Sequence, residues 1–135
     1  MRILGIDVGK TGGVAVYDSD GGFLKTFAFS FTSLKDTYEM VKDSVKKYKI
    51  EVIVTGKPNR MYNIIMAHMP YVGVINLAAE ESGVQLVIAN DSSMRAAVFG
   101  KGNGMKKYLT HEEFKGETPD VSDAMLMCYW LSKSQ

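Results

Sequence analysis

The 135-residue sequence predicts an α/β fold, a mixed five-stranded sheet in which an antiparallel meander is followed by parallel strands, with helices flanking it. Three observations carry this expectation. Three strand-like apolar runs follow one another within the first 31 residues, separated by glycine and Asp-Gly turns. Beyond residue 33, segments with helical spacing alternate with short apolar, largely β-branched runs. The composition, 46% hydrophobic and 23% charged, is ordinary for a globular chain. A chain of this length buries about two-thirds of its unfolded surface, so one domain spanning residues 1–135 is expected.

Arg2 to Asp7 reads as a buried strand through Ile3, Leu4 and Ile6. Gly9, Gly12 and Gly13 loosen the turn into a second strand, Val14 to Tyr17. After Asp18–Gly22, Phe23 to Phe31 forms a third strand. Ser33 and Asp36 form a capping pair for a helix carrying Leu34, Tyr38, Val41 and Val45 at helical spacing. Its basic end, Lys46 to Lys49, suits a helix C-terminus. Glu51 to Thr55 is a fourth strand, broken by Gly56-Lys57-Pro58-Asn59-Arg60. Tyr62 to Ser82 reads as a helix in which Pro70 forces a break or a kink, and Gly83 stops it. Val84 to Ala89 is the fifth strand. Ser92 or Ser93 caps a short helix through Val98, a basic glycine loop follows, and Val121 to Leu131 forms the last helix.

Several classes drop out. One cysteine excludes a disulfide scaffold and a cysteine-based zinc site, and it fits a reducing compartment. No apolar run approaches the roughly 20 residues that span a bilayer, and the first ten residues do not have the pattern of a signal peptide. The expected location is the cytoplasm of a bacterial or phage-infected cell, with no membrane partner. Sixteen basic against fifteen acidic residues give a net charge of +1, which points neither toward nor away from nucleic acid.

Chemistry concentrates in three places. Asp7 ends the first strand, where ligands of open α/β sheets gather; the same residue also suits a turn in which it caps the Gly9 and Lys10 amides. Asp120 and Asp123 lie three apart at a helix start, hence on one face. Two neighbouring acids suit a shared hard cation, and they equally suit capping and the helix dipole. The stretch Met94 to Lys107 combines Gly100, Gly102 and Gly104 with Arg95, Lys101, Lys106 and Lys107. It can hold a phosphate or be a solvated loop. Lys57 and Arg60 add charge at another strand end. Gly9-Lys10-Thr11 lacks the spacing of a P-loop and leads straight into a strand. His68 and His111 are expected in structural or surface roles, Cys128 as a buried hydrophobe. Met61, Met66 and Met69 with Tyr62 and Tyr71 fill a core or a dimer contact.

Together Ile3-Leu-Gly-Ile-Asp7-Val-Gly9, the run from Arg95 through Gly100 and Gly102 to Lys106, and Asp120-x-x-Asp123-Ala124 resemble the RuvC-type Holliday-junction resolvases of the ribonuclease-H-like superfamily, most of all the short phage and prophage members. The resemblance implies a homodimer that cuts branched four-way DNA by metal-assisted hydrolysis with two Mg²⁺ or Mn²⁺ ions per site. It implies Asp7, Asp120 and Asp123 as catalytic metal ligands and Lys106 as a catalytic, positively charged residue that supports charge on the scissile phosphate. With it, Lys10, Lys57, Arg60, Arg95, Lys101 and Lys107 are the DNA-binding candidates. One position departs: Gly56 stands where the family places a catalytic Glu, and Glu51, at the other end of that strand, lies too far away at about 3.3 Å per residue. Three readings follow: an inactivating substitution, a junction binder that cuts poorly, or completion of the site by another carboxylate, Asp91 being the nearest. Gly56-Lys57-Pro58 and the N-terminus also resemble YqgF-type proteins, associated with ribosomal RNA processing, although those lack the second acid of the Asp120/Asp123 pair. A non-catalytic junction-binding module is the third alternative. Asp7 to Gly12 resembles a phosphate loop of actin-like kinases, which need more than twice this length.

Overall fold

The computed structural model describes residues 1–57, 62–99 and 116–134. Five strands, β1 (Arg2–Asp7), β2 (Gly12–Asp18), β3 (Gly22–Phe29), β4 (Val52–Gly56) and β5 (Gln85–Ala89), form one sheet in the order β3-β2-β1-β4-β5. β1 pairs antiparallel with β2 and β2 with β3, while β1–β4 and β4–β5 are parallel. The mixed sheet is the one the sequence predicts. Four helices complete the described chain: α1 (Leu34–Tyr48), α2 (Tyr62–Ser82), α3 (Asp91–Phe99) and α4 (Pro119–Ser134).

Alternation along the strands assigns each face a core. Ile3, Ala15, Val52 and Val54 point toward α4, where Val121, Ala124, Met127 and Cys128 cover them. Leu4, Ile6, Val14, Val16 and Ile53 point the other way, against Val41 of α1 and Ile75, Ala78 and Ala79 of α2. The same period puts Asp7 and Gly56 on the α4 face, side by side, because Ile6 is in register with Thr55.

Two glycines let α4 lie directly on the sheet. A Cβ on Gly5 would sit 2.5 Å from the Ala124 carbonyl oxygen, and one on Gly13 only 2.4 Å from the Val121 nitrogen. Gly13 faces Asp7 across the β1–β2 ladder, so this close approach brings the start of α4 to the end of β1. Helix ends shift from the sequence expectation for local reasons. Thr118 caps α4, its hydroxyl accepting from the Val121 amide at 3.2 Å, and Pro119 takes the first helical position where its missing N–H costs nothing. α3 is capped by Asn90 rather than Ser92 or Ser93, the Asn90 side chain accepting from the Ser93 amide at 3.2 Å. α2 continues through Pro70 without a break; Pro70 and Met66, whose carbonyl loses its donor, both lie on the exposed side.

Candidate functional site

The first and last elements of the chain meet at one end of the sheet. Asp7, Asp120 and Asp123 each offer a carboxylate oxygen, and these atoms lie within 4.8 Å of one another. The hydroxyl of Thr11, in the β1–β2 turn, donates to Asp120 Oδ2 at 3.3 Å. Asp120 is not the helix cap, since Thr118 holds that role, and Asp7 turns to the other two acids. Like charges this close cost about 3–4 kcal/mol per pair at an effective dielectric constant of about 20. The structure shows the consequence at Asp7: burial, then the neighbouring Asp123 and Asp120 carboxylates, push it up to about 9.

A cleft of about 300 Å³ opens beside this cluster. Its lining includes Asp7, Asp123 and Met127, Gly56 and Lys57 at the end of β4, His68 of α2, and Asp91 and Arg95 of α3. Among the described residues Arg95 forms an ion pair with one of the acids. Its guanidinium bridges Asp123 Oδ1 at 3.3 Å and Asp91 Oδ1 at 3.2 Å, with 12% of the side chain exposed. Where Gly56 would carry a side chain, a Cβ would meet only the flexible end of Met127, at 3.0 Å.

No family model matches the chain. A Listeria innocua protein is 39% identical over 69 residues, covering 48% of this chain and 50% of that protein. One from Thermoanaerobacter pseudethanolicus is 37% identical over 67 residues, 45% of each. Both carry a provisional name, pre-16S rRNA nuclease. The chain thus matches half or less of the length of these relatives. Among solved structures, Thermus thermophilus RuvC superposes with a TM-score of 0.82 at 16% identity, over 99% of this chain and 96% of that one. The fowlpox virus Holliday junction resolvase follows it over both full chains with a TM-score of 0.63 at 14% identity.

The fold is RuvC-type. On this RuvC-type, ribonuclease-H-like frame the three predicted acids come together as expected from their order in the sequence. Lys57 is exposed at the mouth of the cleft. Lys10 is exposed beside a neighbouring cavity that it lines with Gly9, Phe31, His68 and Tyr71. Arg95, expected to bind DNA, is drawn inward to Asp91 and Asp123. Asp91 reaches the cleft through this pairing but is not one of the three convergent acids. Arg60, Lys101, Lys106 and Lys107 lie outside the described residues, as do the glycine loop and His111. Two residues escaped the sequence reading. His68, expected to be structural, lines the acidic cleft; nothing near it in sequence announces that. Thr11, set aside with the P-loop-like triplet, orients Asp120. Cys128 is buried, with its thiol pushed up by desolvation, as a hydrophobe should be.

The donor set fits a hard divalent cation: three carboxylates, one pushed toward its protonated form by burial and by its neighbours, is an arrangement that a cation relieves. Among the described residues no helix is long and apolar enough to cross a membrane.

Proposed function

We propose that the chain is a divalent-metal-dependent endonuclease acting on four-way or branched DNA. The observation that carries this reading is the convergence of Asp7, Asp120 and Asp123 at the carboxyl end of β1. Asp7, Asp120 and Asp123 would hold Mg²⁺ or Mn²⁺, two ions per site when nucleic acid is bound. When bound, such ions activate water and neutralise charge on a phosphodiester. The chain's own groups prepare for this. Thr11 donates to Asp120 Oδ2, Asp7 would have to be ionised to serve as a ligand, and Lys57 and Lys10 offer positive charge to the backbone flanking the cleft. Arg60, Lys101 and Lys107 belong to the same proposed DNA contact, and Lys106 to support of the phosphate undergoing attack. Symmetric cutting needs two sites, and the chain acts as a homodimer in this reading.

A second reading has its own support, since the sequence relatives are named for pre-16S rRNA. The deciding experiment is cleavage of a synthetic mobile four-way DNA junction with Mg²⁺ or Mn²⁺, run beside Asp123→Asn and Gly56→Glu. Paired symmetric nicks that disappear in Asp123→Asn are expected. Tight junction binding without nicks, with cutting gained by Gly56→Glu, assigns a junction binder whose site is incomplete at position 56. An absence of junction binding, with trimming of a precursor 16S RNA, replaces the DNA reading by the RNA one.

A further inference from the structure

Arg95 sits where the proposed metal chemistry would be most sensitive to a positive charge. Its guanidinium is drawn into the acid cluster from α3, which packs beside α4 and begins with Asp91. Asp91, one helical turn earlier, lies 3.2 Å from Nε as an ion pair, and an outer nitrogen donates to Asp123 Oδ1 at 3.3 Å. Asp91 itself is 61% exposed, whereas Arg95 is 12% and Asp123 is 19% exposed, so the contact that lies protected is the one to the metal-ligand candidate.

We propose that Arg95 gates the second cation: free of nucleic acid, its guanidinium occupies the space beside Asp123, and the chain binds one divalent ion rather than two. This rests on the reading of Asp7, Asp120 and Asp123 as a metal site. Position decides the count. The guanidinium lies 3.3 Å from Asp123 Oδ1, so a second ion at that oxygen must either displace Arg95 or face its positive charge at close range. Gly56, which also lines the cleft, has no side chain with which to add a compensating negative charge. The gate has a natural key. A guanidinium binds phosphate oxygens through two parallel hydrogen bonds at least as well as it binds carboxylate. A backbone phosphate entering the cleft therefore turns Arg95 away from Asp123 and frees that oxygen for a second ion. Phosphate and second cation then favour one another, and the coupling is reciprocal.

The test counts Mn²⁺ bound to the full chain by calorimetry and by loss of the free-ion paramagnetic resonance signal, without nucleic acid. The wild type should bind one ion, Arg95→Gln two, and Arg95→Lys, which keeps the charge, one. The second ion should bind Arg95→Gln about tenfold or more tightly than it binds the wild type. Far-UV circular dichroism confirms that each variant is folded. Two ions on the wild type overturn the gate whatever the variants do, and so does a folded Arg95→Gln that stays at one. Failure of the wild type to bind Mn²⁺ at all overturns the metal reading itself, a result distinct from either.

Discussion

Asp7 could be picked out in the sequence because a carboxylate ending an apolar strand is costly unless something compensates it. The partners that compensate it were less visible: Asp120 and Asp123 carry an i,i+3 pattern that capping explains equally well, and only the helix position separates the readings. That position depends on Gly13. Its missing side chain lets the Asp120–Val121 peptide rest on β2, opposite Asp7 in the ladder. Gly13→Ala places a methyl group 2.4 Å from the Val121 nitrogen and 2.5 Å from the Asp120 carbonyl carbon, both backbone atoms that cannot rotate aside. The expected cost is about 2–3 kcal/mol in urea unfolding, the range for an overpacked core, together with weaker Mn²⁺ binding as Asp120 is lifted away. Unchanged stability would show that α4 does not depend on this contact. His68 marks the opposite case: no spacing in the sequence relates it to Asp7 or Asp123, and the crossover through α2 alone brings it to the cleft.

At the level of elements, all five strands and four helices were legible, because their periods are distinct and glycine or proline punctuates them. What failed were the ends, where single side chains such as Thr118 and Asn90 choose the cap, and the fate of Pro70, whose helix tolerates it on the exposed side. For Met66 and Met69 of α2 the core reading does not hold. Met66 and Met69 are 57% and 47% exposed and so do not fill the core, whereas Tyr71 packs edge-on against Phe31. Met66, Met69, Gly73 and Leu77 recur at helical spacing along one exposed stripe, which is the candidate interface of the proposed homodimer. Sedimentation should find the wild type dimeric and Met66→Lys/Met69→Lys monomeric but still folded by circular dichroism, because neither side chain is buried within its own subunit. A monomeric wild type, or a double variant that remains a dimer, removes α2 as the interface.

Across the whole molecule, the acid cluster ties the first strand to the last helix, so its protonation and its cation act on global stability. Asp7 titrates near 4 in an unfolded chain and at about 9 in the fold. Between those values the folded state holds a proton that the unfolded state has released. Stability therefore is highest below about pH 4, falls as pH rises through this window and levels off above it. In chelator, the wild type should lose melting temperature from pH 5 to pH 8.5, and Asp7→Asn, which has no proton to lose, should lose less and be the more stable protein at pH 8.5. A divalent cation reverses the order. Bound only by the folded state, it adds RT ln(1 + [M]/Kd), about 2.7 kcal/mol at a hundredfold excess over Kd. At pH 5 it competes with the Asp7 proton, so Mn²⁺ should raise the melting temperature more at pH 8.5 than at pH 5, and should do little for Asp7→Asn. A Mn²⁺ shift that is equal at the two pH values, or equal in the variant, would place the cation away from Asp7. The same scan then separates a chain built to hold a metal between its two ends from one whose acids serve only the start of a helix.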